Sequence, residues 1–555
     1  MSIGKILTLL IVSIASQAAH AQSYDDYAMP INAKAPAGQL QGTLKLAVRD
    51  AKINTRVILD NIDLTTNEKS GWNSLPSFAF SFVQSGDAVI PTISGAVTND
   101  HPNWEWVLAP GKIWAQGDIS RLSIPFALME KNENCLHNGV LRVIIEDKKI
   151  ISKADFLIAS ETCSYVKFDM WGEMDARWQS HEIENAKNLI DNFQRAENTN
   201  IQVRDVADLS ADYPEIELDN LSEKAHIREE DMTFYGILKD NVHYVSGCQT
   251  RVGQYPHCGQ MLIPSYSFAK SIVAAFSLMS LEKLYPGTTE LKISHYVPQC
   301  QGEAWDDVRF IDALNMTTGN YHSRDAVADE AAVGYRKLFT SMTHSEKIEF
   351  SCNYFPRQEK PGSSFVYHTS DTYILGAAMS ALWKEHHQQE SDFFNDLIVK
   401  SIFEPLGLSA STKWIRRSYD DEAQPFTGWG MLLNRNDLVK LMTFLGGYNE
   451  HLDPTKVFAD EMFRTAMNAA QSTRPTANEI YGYANGFWAY NLKNKLGCAV
   501  DHYAPHMSGF GGLSAVILSA RMGYYSISDG GTHAFLNALF ELHKISPLCE
   551  GAVND

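Results

Sequence analysis

The chain is poor in the features that would tie it to a bilayer or to nucleic acid. Beyond its first stretch it has no uninterrupted apolar run of spanning length, and a transmembrane helix needs about 20 such residues. It has no excess of positive charge: 47 Lys and Arg stand against 66 Asp and Glu, a net charge of −19. That balance argues against nucleic acid and anionic membrane surfaces as partners. No Cys-x-x-Cys and no His-Glu-x-x-His occurs, so the commonest zinc-holding spacings are missing. No metal and no cofactor is expected, and no internal repeat of solenoid or propeller period is found.

The N-terminal stretch reads as an export signal at residues 1–21. Lys5 supplies the positive charge, residues 6–14 the short apolar run, and Ala19-His20-Ala21 a cleavage site. No Cys follows that site, which disfavours a lipid anchor. A periplasmic or secreted protein is expected. The eight cysteines all follow the signal, and an even number in an oxidising compartment favours disulfides. Sequence alone selects no connectivity; pairing of neighbours would join Cys135–Cys163, Cys248–Cys258, Cys300–Cys352 and Cys498–Cys549.

Three zones follow the signal. Residues 22–170 show short alternating runs such as Arg56-Val57-Ile58-Leu59, predicting an all-β domain, a sandwich. Trp104, Trp106 and Trp114 lie in it, more in keeping with a core than with a binding platform. Residues 171–230 are polar, then rich in acids, and read as a helical connection. Residues 231–555 mix strands and helices in an order that predicts an α+β fold, an antiparallel sheet flanked by helices with the first and last strands of the zone sharing the sheet.

The chemistry-bearing candidate is Ser267-Phe268-Ala269-Lys270. Three residues apart on a helix, a hydroxyl and an amine share one face. The helical pattern begins near Ser267, where the helix dipole favours developing negative charge. Lysine must be desolvated to act as a base, and Phe268, Ala269, Ile272 and Val273 supply apolar surroundings. The spacing also occurs at Ser2–Lys5, Ser164–Lys167 and Ser280–Lys283; these lie in the signal, outside a helical pattern, and late in the same helix, so Ser267 is preferred.

The segment Pro264-Ser265-Tyr266-Ser267-Phe268-Ala269-Lys270-Ser271-Ile272 resembles the nucleophile motif of class C β-lactamases, D-alanyl-D-alanine carboxypeptidases and related esterases. Four more blocks resemble the same family in the same order: residues 308–319, with Asn315 near the place of a usual His; residues 361–372 followed by Leu375-Gly376; residues 404–408; and Gly428-Trp429-Gly430-Met431 followed by Asp437-Leu438. Together they cover residues 232–549 and leave the β-rich part outside. The resemblance implies a β-lactamase/transpeptidase-like catalytic domain with Ser267 as nucleophile, Lys270 as base and Tyr367 as the proton-shuttling phenol. Where the family usually writes Tyr-x-Asn, the third position here is Thr369, similar to the subgroup that carries Ser there and includes hydrolases of 6-aminohexanoate oligomers. A substrate-holding amide is thereby missing, which favours a small amide or ester over a β-lactam. The third family element, Lys-Thr-Gly or His-x-Gly, falls within residues 506–513 in either of two registers. One sets Met507-Ser508-Gly509 on the motif, with the Phe510 N–H as an oxyanion donor; the other places His506 at the Lys or His position.

The expected function is hydrolysis of a small-molecule or peptide substrate through an acyl-enzyme on Ser267. The alternatives are a β-lactamase, a carboxypeptidase-type penicillin-binding protein, and a catalytically weak protein that binds cell-wall peptides. The oligomeric state is not legible.

Overall fold

The computed structural model describes residues 23–549 apart from 37–38, 68, 132, 147–148, 151–152, 448, 468–479 and 520. The export signal expected at 1–21 lies outside the described residues. No described helix is long and apolar enough to cross a membrane. All eight cysteines are paired, in the neighbour-to-neighbour pattern: Cys135–Cys163, Cys248–Cys258, Cys300–Cys352 and Cys498–Cys549.

The first unit is built from strands of period two. In Phe78–Ser85 the buried Phe78, Phe80 and Phe82 alternate with exposed Ala79 and half-buried Ser81, the pattern of a strand with one face on a core. Thirteen strands, from Gln41–Leu46 to Ala176–Ser180, form one hydrogen-bonded antiparallel sheet. The unit is all-β; its strands are linked in one hydrogen-bonded network around a shared core, and they run on past residue 170 to Ser180. Trp104 and Trp106 are buried inside it, their indole N–H groups donating to the carbonyls of Trp72 at 2.9 Å and Pro76 at 3.0 Å. Trp114 is buried as well. All three serve the core.

The helix Ala186–Asn198 lays Leu189, Ile190 and Phe193 on the sheet residues Val83, Ala88 and Ile90. The strand Gln202–Asp205 then joins a second sheet, of eight strands. That sheet runs Gln202–Asp205, Val242–Val245, Met232–Lys239, Met522–Ser528, Leu513–Ser519, Tyr503–Gly509, Phe487–Asn491, Tyr481–Ala484. Only the first pairing is parallel. Met232–Lys239 lies against Met522–Ser528, so the first and last parts of the zone 231–555 meet at the sheet centre, as the sequence implied. One face of this sheet carries the largest core, shared with the helices Phe276–Leu284, Thr369–His386 and Arg435–Leu445. The C-terminal helix Leu536–Ile545 covers another cluster with Val516 and Tyr524.

The two units are joined by a dense seam. Val140, Leu157 and Ala159 of the β unit belong to the main hydrophobic core of the second unit. Arg251 grips Glu161 with two nitrogens, at 2.5 and 2.8 Å, and Asp169 at 2.7 Å. Lys167 stands between Asp231 at 3.1 Å and Asp529 at 3.0 Å. Arg416 reaches the Glu105 carboxylate at 3.1 Å and the Glu130 carbonyl at 3.0 Å, with both charged side chains 2% exposed. Removing one partner from such a pair strands the other charge without water. Arg416→Ala is therefore expected to lower unfolding free energy by about 3–5 kcal/mol in denaturant titration; a change within the error of the measurement would show that the seam contributes no stability.

Candidate active site

The segment that enters the site is pinned before Ser267 is reached. Ser265 N–H donates to the Met431 carbonyl at 2.9 Å, and Met431 N–H donates back to Ser265 Oγ at 3.1 Å. Tyr266 follows with φ +40°. The chain then turns at once into a helix: Phe268 N–H bonds Ser265 O, and Lys270 N–H bonds Ser267 O at 3.0 Å. From Lys270 to Ala275 the helix is π-wound before tightening into Phe276–Leu284, and such wide turns tend to occur at functional sites.

One turn below Ser267, the Lys270 side chain is 2% exposed. Its ammonium donates to Ser267 Oγ at 2.9 Å, Thr369 Oγ1 at 2.8 Å and the Gly428 carbonyl at 3.1 Å. All three N–H bonds of the ammonium are thus used. Gly428 has to be glycine for this approach: a Cβ there would stand 2.6 Å from Thr372 Oγ1 and 2.8 Å from Thr369 Cγ2. Burial disfavours the ammonium and pulls its pKa down to about 8, against the opposing pull of the Glu330 and Asp371 carboxylates.

Tyr367 precedes the helix Thr369–His386 and is buried. Its ring centroid lies 4.9 Å from Lys270 Nζ, and it is stacked on Trp488 at 5.7 Å. Burial raises its phenol well above the ordinary value, Tyr483 and Glu330 add to the rise, and a hydrogen bond with Ser267 works against it. Tyr367 is thus a protonated phenol at neutral pH, suited to passing a proton rather than to starting as a base. Ser267, Lys270 and Tyr367, singled out in the sequence, are brought together here.

Thr369, named in the sequence as a candidate substrate-binding position, has its hydroxyl engaged within the protein. It is buried, and its hydroxyl accepts from Lys270 and donates to Glu330 Oε1. Glu330 Oε2 accepts the Thr369 N–H at 2.8 Å, so this carboxylate caps the first N–H of the helix and stands one oxygen away from the amine. Sequence reasoning missed Glu330, which lies in a loop outside every motif. Its neighbour Asp329 explains how the loop is held. Asp329 accepts from the N–H groups of His322 at 2.8 Å and Ser323 at 3.0 Å, and meets His368 Nε2 at 3.2 Å. Burial disfavours the His368 imidazolium, but Asp329 and Asp371 outweigh burial and push its pKa up to about 9. The buried cation between Tyr367 and Thr369 therefore anchors the loop that carries Glu330.

The strand Tyr503–Gly509 ends beside the nucleophile segment: a Cβ at Gly509 would lie 3.1 Å from Ser265 O. Successive side chains alternate across a strand, so Met507 and Gly509 share a side that His506 does not. Met507 joins the core cluster of Phe268 and Ile272. His506 is buried against Phe535 at 5.1 Å, its Nδ1 3.3 Å from Ala504 O, and burial pulls its pKa down to about 4. Among the described residues His506 makes no hydrogen bond or ring contact with Ser267, Lys270 or Tyr367, whereas Gly509 lies against Ser265. Phe510 follows, 54% exposed. Among the described residues, neither the Ser267 N–H nor the Phe510 N–H has a backbone acceptor.

The chain matches no protein-family model and no curated protein. Solved structures similar to it include a D-stereospecific amidohydrolase from Streptomyces sp. (13% identity, 59% of this chain and 96% of that one, TM-score 0.40). A penicillin-binding protein homologue from Caulobacter crescentus is similar over 64% of this chain and 97% of its own, at 13% identity and TM-score 0.41. A class C β-lactamase is similar over 67% and 99%, at 14% identity and TM-score 0.39. At such values the functional reading rests on the geometry above.

The charges around Lys270 are testable directly. In an NMR titration of lysine labelled at Cε, Lys270 is expected to titrate near pH 8, well below exposed lysines at about 10.4. In Glu330→Gln it is expected to move lower still, because a neighbouring negative charge that favours the ammonium is lost. A Lys270 signal at the ordinary value would contradict the burial argument.

Proposed function

We propose that this protein is an exported serine hydrolase that cleaves a small amide or ester through an acyl-enzyme on Ser267. The observation that carries the reading is the 2.9 Å contact between Ser267 Oγ and a buried Lys270 amine whose pKa is pulled down to about 8. A desolvated amine in hydrogen-bond reach of a hydroxyl at a helix start has the makings of an activated nucleophile.

In the proposed reaction the neutral amine of Lys270 accepts the Ser267 proton as Oγ attacks the substrate carbonyl. The oxyanion is received by the free N–H groups of Ser267 and Phe510; one such donor contributes about 3 kcal/mol. Tyr367, a phenol at neutral pH, passes a proton to the leaving group, and the same groups assist water in opening the acyl-enzyme. Thr369 and Glu330 hold the amine and the helix start in place. With the Thr369 hydroxyl committed to Lys270 and Glu330 and apolar Met507 in the inward position of the strand, the site favours a substrate that needs neither an amide nor a cation at those two places. This is the basis for preferring a linear amide or ester to a β-lactam. Four disulfides are in keeping with export to an oxidising compartment.

The decisive experiment is a turnover screen of the mature protein over p-nitrophenyl esters, linear amides, D-peptides and β-lactams. Ser267→Ala is expected to reduce turnover to background with the fold intact by circular dichroism. Tyr367→Phe is expected to lower kcat by roughly 10²–10⁴-fold. Unchanged turnover in the Ser267 variant would refute the assignment, and preferential turnover of β-lactams would replace the substrate class.

A further inference from the structure

The residue that aims Ser267 is held by the other half of the molecule. Tyr266 occupies the left-handed region, which a bulky L-residue adopts only where its surroundings impose it. Its phenol donates to the carbonyl of Thr162, in the β unit, at 3.0 Å. Thr162 is adjacent to Cys163, which is cross-linked to Cys135, and the Tyr266 oxygen lies 4.0 Å from Cys135 Sγ. The acceptor is therefore on a backbone that a disulfide keeps from moving. The same stretch of the β unit reaches the other side of the site. The Tyr165 ring lies 6.3 Å from the ring of Phe510, and Phe510 in turn packs edge-on against Tyr266 at 5.6 Å. Tyr165 is itself tied by its hydroxyl to the Glu130 carboxylate at 2.5 Å. At Gly511 a Cβ would come within 3.9 Å of Ser164.

We infer that the turn at residues 162–165 of the β unit is a positioning element of the catalytic centre: through Tyr266 and Phe510 it sets the two backbone N–H groups that receive the oxyanion. The inference rests on the hydrolase reading and extends it, because it makes the β unit part of the active site rather than an appended module. The physical reason is that the two donors belong to segments far apart in sequence, a helix start and a strand end. Each is flanked by an aromatic residue that leans on the same disulfide-anchored turn. Donors that must not shift while charge develops gain from a shared rigid support. Simple packing between units would need apolar contact only; here a buried, directional hydrogen bond acts on the residue whose φ decides where the next N–H points.

The test uses the full mature chain, a fluorophosphonate probe and p-nitrophenyl ester kinetics. Tyr266→Phe keeps the ring and loses the bond to Thr162. It is expected to slow probe attachment to Ser267 and to lower kcat by about tenfold, the scale of one transition-state hydrogen bond, with KM changed less than about twofold. Tyr165→Ala, which removes the support of Phe510 without touching the nucleophile segment, is expected to lower kcat severalfold, and it carries the test should the Tyr266 variant fail to fold. A merely structural role would lower the melting temperature and leave the labelling rate of the folded protein unchanged; folded variants that label at the wild-type rate overturn the inference. Failure of the wild-type chain to label at all strikes the hydrolase reading itself, and this inference falls with it.

Discussion

The amine of Lys270 has to be dry and yet fully hydrogen-bonded, and most of the site follows from that requirement. An ammonium removed from water without partners costs several kcal/mol. Here the partners come from three places in the chain: the Ser267 hydroxyl, the Thr369 hydroxyl and the Gly428 carbonyl. Each partner brings its own condition. Gly428 must lack a side chain so that its carbonyl can approach, and Thr369 must sit at the start of its helix, where Glu330 receives its N–H. Burial and carboxylates pull in opposite directions on the amine, and the outcome is a base that is poised near neutrality and still held in one geometry.

The same economy of charge shapes the wall behind the site. His368 is enclosed by Asp329, Asp371 and the stacked ring of Phe355 at 3.9 Å, so a cation is stored between the Tyr367 phenol and the Thr369 hydroxyl. Its role is architectural: through Asp329 it fastens a loop that would otherwise hold Glu330 only loosely. Low local dielectric makes the loss of any one member of this cluster costly.

The two units share more than a boundary. Arg251, Lys167 and Arg416 each cross the seam to buried carboxylates, and apolar residues of the β unit complete the core of the second unit. Inter-domain contacts within a chain are often small and polar, leaving relative motion as the default. This seam combines a continuous apolar patch with paired buried charges, which favours a fixed relation between the β sheet and the segment that presents Ser267.

What the sequence by itself determined is local. The spacing of Ser267 and Lys270 and the alternating runs of the β-rich part follow from periodicities of a helix or strand that a short window carries, while the blocks around Tyr367 and Gly428 were legible through their resemblance to a known family. The even cysteine count behind an expected export signal implied disulfides, though not their pairing. What only the tertiary structure decided are contacts between elements distant in the chain. Glu330 has no signal because its function lies in capping a helix that begins 39 residues later. The choice between His506 and Met507 depended on which side of one strand faces the core. The single hydrogen-bonded network of the β unit depended on strand order, which alternation does not encode. Tyr266 read as an ordinary motif residue until Thr162, 104 positions away, came to lie against it. Side-chain period is a property of neighbours along the chain; burial, capping and support are properties of neighbours in space.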